Sequence, residues 1–402
     1  MTEVSDSGAV VGPPALRGGQ YTPDPPSCAA RAELVAALID AVSARAEILL
    51  VAHVHPDADS LGSALALGLA LRAAGGRVRV SFDAKPFAVP RTLGFLAGQD
   101  LLVDPVLITD VPGLVVCLDA DSRPRLGRLG HLAAATRVAV IDHHLSNTGF
   151  GDLNLVDHEA PSTSALVVDV IDALGVPLDA DMAAAIYAGL VTDTVSFQRP
   201  ATNPAVHRLA ARLLATGIRH DLISRALWDS HRFGCLKLLG VVIDRARLEP
   251  EHDLVWTWCG QQDLRRAGVA LDEIQGFIDT LRMVSEVEVA LICKQEGGAW
   301  KVSLRSLGGI DVGALCTGLG GGGHHLAAGF ASTAELGALM DEVRAALAGA
   351  PRLSSPTIRA LTGPDDAAGR AAVPAPARAG PDVTVAGASG RVGPVGRPLG
   401  VR

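Results

Sequence analysis

Aromatic residues make up only 3% of this 402-residue chain, so its cores must be built from Val, Leu, Ile and Ala. None of the six cysteines forms a CxxC pair, and several lie within apolar runs, which is typical of buried thiols in a reducing compartment. No apolar run reaches 18 residues, which argues against a membrane span. The N-terminus has no basic segment followed by an apolar one, so we expect no signal peptide and a cytoplasmic protein.

Basic residues are in the minority, and the formal net charge is -8. The last 52 residues hold seven Arg and three Asp, a balance of +4, so residues 1–350 carry -12. Binding to long nucleic acid depends on neutralising many phosphates. The acidic body therefore argues against long DNA or RNA as a partner, although a short phosphorylated ligand remains compatible with it.

The strand and helix patterns divide the chain into five parts. Residues 1–27 and 351–402 are rich in Gly and Pro, and we expect a flexible arm and a disordered tail because such segments bury too little apolar surface to fold. Apolar strand-like runs alternate with helical runs over residues 28–205, which predicts an α/β domain with a mostly parallel sheet covered on both faces. Helical patterns over residues 206–249 predict a linker to a smaller α/β domain over residues 250–350.

Acidic and histidine side chains follow several of the predicted elements in the first α/β domain. Ligands of open α/β sheets bind beyond the carboxyl ends of the strands. Four separate segments deliver such side chains to one edge of the sheet. They contribute His53, Asp57 and Asp59; Asp119; Asp142, His143 and His144; and Asp193.

These side chains can be interpreted one by one or as a set. A single Asp after a strand is usually a helix cap, and a lone His is usually structural. That interpretation weakens when four such segments occur in order in one α/β unit, because clustered carboxylates without cations would repel one another strongly. Four carboxylates balance the formal charge of two divalent ions. The set therefore predicts a metal centre.

With these segments the sequence resembles the DHH phosphoesterase family. Asp142, His143 and His144 form the DHH triplet, and HVHPDADSLGS, VVCLDADSR and GLVTDT match the other motifs in order. VSLRS and LGGGGHHLAAGF resemble the DHH-associated domain of one branch. That branch includes oligoribonucleases that also dephosphorylate adenosine 3′,5′-bisphosphate, and phosphodiesterases for linear or cyclic dinucleotides. The resemblance spans about residues 32–348.

The resemblance implies two divalent cations bridged by Asp119. The residues that would hold them are His53, Asp57 and Asp119 for one ion, and Asp59, Asp119, His143 and Asp193 for the other. His144 would face the scissile phosphate as the catalytic histidine, and Asp142 would support the histidine pair. Relatives of this kind are often dimers, which implies a homodimer.

The ligand types also indicate which metal and which chemistry to expect. Mixed carboxylate and imidazole ligands suit Mn²⁺, with Mg²⁺ as the weaker-binding alternative. Zinc is disfavoured because no thiolate joins the set. Two such ions can activate water and stabilise both oxygens of an in-line displacement, so no nucleophilic Ser or Cys is required.

A glycine-rich segment and two arginines are candidates for substrate binding. The segment is not a Walker A loop, because no Lys-Ser or Lys-Thr follows its glycines. We interpret it as a backbone nest at a helix N-terminus that can hold a phosphate or let a base approach; the alternative is a flexible turn before a helix. Arg305 can grip a phosphate bidentately, or it can be an ordinary surface arginine. The candidates are Ser303, Arg305, Gly321, Gly322, Gly323, His324 and Arg199.

Two classes of function fit these features. The first is a phosphodiesterase and phosphatase for short oligoribonucleotides, dinucleotides such as pApA, and adenosine bisphosphate. The second is a nucleotide-binding sensor without turnover; within the enzymes, a related pyrophosphatase is the alternative. Sensors derived from enzymes tend to lose metal ligands, whereas every ligand position is filled here. The pyrophosphatases lack the GGGGH-type module, so we favour the first class.

Overall fold

The first sheet consists of five parallel strands, and its three central strands are almost entirely apolar, as expected for strands covered on both faces. The computed structural model describes residues 25–353. Residues 354–402 of the expected tail and residues 1–24 of the expected arm lie outside the described part of the chain. The strands are β1 (Glu47–Ala52), β2 (Arg77–Ser81), β3 (Leu114–Leu118), β4 (Val138–Asp142) and β5 (Leu153–Val156), in the spatial order β2-β1-β3-β4-β5.

Helices cover one face of this sheet, with Leu50, Leu65 and Ile186 in the shared core. The other face packs on the 3₁₀ segment Arg123–Ala134 through Val51 and Cys117. The predicted α/β fold with both faces covered is thereby confirmed. The helices are α1 (Pro25–Ser43), α2 (Ala58–Ala73), α3 (Thr163–Ala173), α4 (Ala180–Asp193), α5 (Pro204–Leu214) and α6 (His220–Trp228), and single 3₁₀ turns span Arg91–Leu93, Gln99–Leu101 and Pro105–Leu107.

The second sheet is mixed, because β7 and β8 are parallel and the other neighbours are antiparallel. Trp256 and Leu304 face one helical layer, and Val255 and Ile292 face another. In spatial order the strands are β10 (Gly322–His324), β11 (Ala327–Ser332), β9 (Ala299–Ser306), β8 (Val289–Glu296), β7 (Leu254–Cys259) and β6 (Arg247–Glu249). The helices are α7 (Phe233–Asp244), α8 (Gln261–Ala267), α9 (Phe277–Leu281), α10 (Val312–Gly318) and α11 (Leu336–Ala348), with 3₁₀ turns at Pro250–His252 and Leu271–Ile274.

The predicted helical linker does not stand apart from the two cores. Val206 of α5 and Ile223 of α6 are buried in the core of the first sheet. Cys235 and Leu238 of α7 are buried against the second sheet instead. The change of partner therefore falls between α6 and α7. Across residues 25–353, no helix has both the length and the apolar character that a membrane crossing requires.

Candidate active site

The strand order places the candidate residues in one crevice. The order reverses between β1 and β3, and ligands of such sheets bind beyond the strand ends at this switch point. His53 follows β1, Asp119 follows β3, and His143 follows β4. The last residue of α4, Asp193, reaches the same place from a helix. All six predicted metal ligands are brought together.

The first group of potential metal ligands consists of His53, Asp57 and Asp119, whose ligand atoms lie within 4.8 Å of one another. His53 Nε2 lies 3.4 Å from Asp57 Oδ2 and 3.6 Å from Asp119 Oδ2. The other ring nitrogen, Nδ1, lies 2.8 Å from the Val54 carbonyl, which fits a donated hydrogen bond. That bond leaves Nε2 with a lone pair for a metal ion.

Asp57 is also the N-cap of α2. Its Oδ1 accepts a hydrogen bond from the backbone N–H of Ser60 at 2.9 Å, while Oδ2 faces His53. The helix-cap interpretation is therefore confirmed for this residue through Oδ1. Its role as a metal ligand through Oδ2 stays a prediction.

The second group consists of Asp59, Asp119 and His143, whose ligand atoms again lie within 4.8 Å. His143 Nε2 is 3.0 Å from Asp193 Oδ2, 3.7 Å from Asp119 Oδ1 and 4.0 Å from Asp59 Oδ2. This nitrogen is buried and makes no hydrogen bond. An orphaned imidazole nitrogen facing three carboxylates fits a cation. The two groups share Asp119, and together they form a divalent-metal site.

The electrostatics of this cluster favour positive charge. Burial, followed by repulsion from Asp119 and Asp193, holds the pKa of Asp59 well above its usual range. Burial also raises the pKa of Asp119. Burial opposes protonation of His143, but the charges of Asp193 and Asp119 outweigh it and raise the pKa of this imidazole. Cations would relieve this repulsion.

The N-terminus of α3 supports two of the carboxylates, and sequence reasoning missed this role. Asp59 accepts hydrogen bonds from the backbone N–H groups of Thr163 at 2.7 Å and Ser164 at 2.9 Å. The Thr163 hydroxyl donates to Asp119 Oδ1 at 2.9 Å. The start of α3 is visible in STSALVVD, but nothing local shows that its free N–H groups bind a carboxylate about a hundred residues earlier.

His144 and Asp142 form a separate pair. His144 Nδ1 lies 2.7 Å from Asp142 Oδ1, and Asn147 donates to the other carboxylate oxygen at 2.6 Å. Burial opposes both charges, but the hydrogen bond between the partners raises the pKa of His144 to about 9 and lowers that of Asp142 to about 2. The pair therefore holds the His144 ring through Nδ1 and leaves Nε2 for another contact.

His324 reaches this site from the second sheet. Its ring stacks on His144 with a centroid separation of 4.5 Å and lies 4.8 Å from the His143 ring. Burial, followed by the charges of His144 and His143, lowers the pKa of His324 to about 3. Positive charge on the neighbouring imidazoles therefore disfavours protonation of His324.

The interpretation of the glycine-rich segment as a helix N-terminus is wrong. Residues 322–324 form β10, which pairs with β11 in an antiparallel hairpin, so no helix follows the glycines. A Cβ on Gly321 would lie 2.1 Å from the Gly329 carbonyl oxygen, and Gly323 has φ +138°. The tight hairpin explains both glycines. Gly321, Gly322 and Gly323 remain a prediction as phosphate ligands.

The remaining substrate candidates lie on two elements. Ser303 and Arg305 share the half-buried face of β9, as strand alternation predicts. Arg199 follows α4 after three residues with positive φ, Val195 to Phe197. A run of left-handed residues in a bulky sequence is strained and is frequent near functional sites. Their contact with substrate stays a prediction.

The fold and this site define a phosphoesterase with a carboxylate and imidazole centre. Two family models match the chain: the DHH family N-terminal domain over residues 47–190 and the DHHA1 domain over residues 260–349. The chain belongs to the DHH family, as its motifs predict, and it is a hydrolase of phosphate and phosphodiester bonds.

Curated relatives match most of the chain. A Thermus thermophilus protein named bifunctional oligoribonuclease and PAP phosphatase NrnA is 33% identical over 297 residues, 74% of this chain and 86% of its own length. A Bacillus subtilis protein of the same name is 26% identical over 295 residues, 73% of this chain and 91% of its own. The crystal structure of an exopolyphosphatase-related protein from Bacteroides fragilis is 24% identical in sequence to this chain. The match covers 78% of this chain and 96% of the Bacteroides chain with a TM-score of 0.69, which shows the same fold.

Proposed function

We propose that this chain hydrolyses short oligoribonucleotides and dinucleotides such as pApA, and removes a phosphate from adenosine 3′,5′-bisphosphate. The observation that carries the proposal is the pair of ligand groups sharing Asp119, with His324 of the second sheet stacked beside them. The names of the relatives from Thermus thermophilus and Bacillus subtilis support this substrate class.

The proposed cofactors are two divalent cations, with Mn²⁺ preferred over Mg²⁺ because imidazoles join the carboxylates. One would be held by the group around His53 and the other by the group around His143. Bound there, such ions lower the pKa of water and neutralise charge on a phosphate. His144 is the proposed catalytic histidine: held by Asp142 through Nδ1 and protonated at neutral pH, it can donate from Nε2 to a phosphate oxygen.

The proposed partners are short nucleotides and not long nucleic acid. Residues 1–350 carry a net charge of -12, obtained as -8 for the chain minus +4 for the last 52 residues. Such a body offers little attraction to a long phosphate backbone. A short substrate needs only local positive charge, which the metal centre and Arg305 can supply.

The test is a comparison of rates with Mn²⁺ on pApA, adenosine 3′,5′-bisphosphate, five-nucleotide RNA, a cyclic dinucleotide and pyrophosphate. Asp59→Asn and Asp193→Asn each remove a ligand charge and should abolish turnover. Asp221→Asn is the matched control, because this exposed carboxylate forms a surface ion pair with Arg219 and should be silent. A folded Asp59→Asn or Asp193→Asn protein with near wild-type kcat at saturating Mn²⁺ would refute the metal assignment.

We also propose a cytoplasmic homodimer. The five buried cysteines form no disulfide, which suits a reducing compartment. Phe233, Leu236 and Val241 are exposed on the outer face of α7, and such a surface is suited to a second copy. Light scattering should give the mass of two chains, and Leu236→Asp should shift it toward one. A monomer at micromolar concentration would contradict the dimer.

A further inference from the structure

Three cationic side chains lie around one carboxylate next to the metal centre. Arg305 Nε lies 3.6 Å from Asp279 Oδ1, and Arg282 Nε lies 3.7 Å from the same oxygen. Arg199 is close enough to both arginines that, after burial, their charges lower its pKa to about 10. Arg199 also feels the charge of Asp193, but the three guanidinium groups still outnumber the carboxylates that act on them, so the cluster carries excess positive charge.

The hydrogen bonding of this cluster is incomplete. The Nε atoms of Arg282 and Arg305 and the Oδ1 of Asp279 are buried and have no hydrogen-bond partner. The separations of 3.6 and 3.7 Å are too long for a hydrogen bond. Buried charged donors that lack an acceptor are costly. An anion with oxygens that both arginines can reach would satisfy these donors.

Lys294 adds a fourth cation in an unusual place. It lies on β8 with only 3% of its surface exposed, and its ammonium donates to Gln275 Oε1 at 2.8 Å. Burial, followed by the charges of Arg305 and Lys301, lowers the pKa of Lys294 to about 8. Asp279, and Cys259 on the neighbouring strand, act in the opposite direction. An apolar residue would be more stable at such a site, which indicates a role for the charge.

We propose that Arg199, Arg282, Arg305 and Lys294 form a subsite for a second, non-scissile phosphate, and that Asp279 is an internal counter-ion that this phosphate displaces. The proposal rests on the proposed function. Arg199 and Arg305 are candidates from the sequence, whereas Arg282, Lys294 and Asp279 are assigned by the structure. Arg199 lies close enough to Asp193 for the carboxylate charge to act on it, so the subsite adjoins the metal centre. Substrates with two phosphates, such as adenosine 3′,5′-bisphosphate, fit both positions.

The kinetic test compares adenosine 3′,5′-bisphosphate with bis(p-nitrophenyl) phosphate, an activated diester that has no second phosphate. Arg282→Gln and Lys294→Met should each raise KM for the bisphosphate about tenfold or more, the effect of one lost charge-assisted hydrogen bond, and leave hydrolysis of the diester within about twofold. Arg208→Gln, on the exposed face of α5, is the control and should change neither rate. Equal losses on both substrates in folded Arg282→Gln and Lys294→Met proteins would overturn the subsite.

Asp279→Asn gives the sharper test, because the expected sign is the opposite. Removing the competing carboxylate should lower KM for the bisphosphate several-fold, whereas a merely structural Asp279 would give an unchanged or higher KM and refute the counter-ion role. Calorimetric titration of wild type and the variants with adenosine 3′,5′-bisphosphate in EDTA measures the subsite without turnover. If the bisphosphate binds in a manner that depends on Lys294 but is not hydrolysed with Mn²⁺, the proposed function alone is rejected. Binding that is indifferent to Arg282, Lys294 and Asp279 would reject the subsite alone.

Discussion

Gly189 lies where α4 packs against the start of α2, and changing it to Ala should disturb the metal centre without altering any ligand. A Cβ at this position would lie 2.6 Å from Asp59 Oδ1, 2.7 Å from Ser164 Oγ and 2.9 Å from Asp59 Cα. Contacts this short are not tolerated, so α4 or the Asp59 carboxylate must move. Two backbone N–H groups of α3 hold the carboxylate, so its own movement is unfavourable. A movement of α4 is unfavourable because it would separate packed core residues such as Ile186.

Two opposing contributions set the size of the effect on stability. Ala in a helix interior is favoured over Gly by about 1 kcal/mol. Inserting a methyl group into a packed contact costs about 1–3 kcal/mol. The net result should be a loss of about 0–2 kcal/mol in the free energy of unfolding. Activity should suffer more, because a displacement of about 1 Å near a reaction centre can cost a hundredfold in rate.

The control is Gly240→Ala in α7, where a new Cβ would have no atom within 4 Å. That variant should gain about 0.5–1 kcal/mol and keep full activity. The free energy of unfolding, measured with denaturant in the presence and absence of Mn²⁺, and kcat on pApA distinguish Gly189→Ala from Gly240→Ala. If Gly189→Ala is stabilised as much as Gly240→Ala and keeps its kcat, the close packing of α4 on Asp59 is refuted.

Two further predictions concern metal and pH. Chelation should lower the melting temperature and Mn²⁺ should restore it, because binding to the native state adds about 2.7 kcal/mol at a hundredfold excess over Kd; an unchanged melting curve after verified metal removal would contradict the clustered carboxylates. The pKa of Lys294 falls from 10.5 to about 8 on folding, so the unfolded chain binds more protons between these values and stability should rise across pH 8 to 10.5. Lys294→Met should abolish that rise and add up to about 3 kcal/mol at pH 7, measured by urea unfolding; no gain at pH 7 would show that the buried ammonium is not destabilising.

Much of the fold and of the metal centre was readable from the sequence. The apolar runs that become β1, β3 and β4 are long and unbroken, as strands buried on both faces require. Because parallel strands end at one edge, the Asp and His residues after them could be assigned to one site before any distance was known. The short edge strand β5 was not predicted, since four residues with two buried leucines carry little pattern.

Other features depend on contacts between residues that are far apart in the sequence. The glycine-rich segment has no side chains to give a periodicity, so only its pairing with β11 revealed a hairpin in place of a helix start. Thr163 supports the Asp59 carboxylate because the free N–H groups at the start of α3 lie next to it. The local pattern places Lys294 on a strand but cannot show that the strand is covered there by Gln275 and that Arg305 lies beside the ammonium. The presence of the strands and the ligand chemistry follow from local pattern, whereas strand order, burial and charge pairing are set by which elements and faces meet.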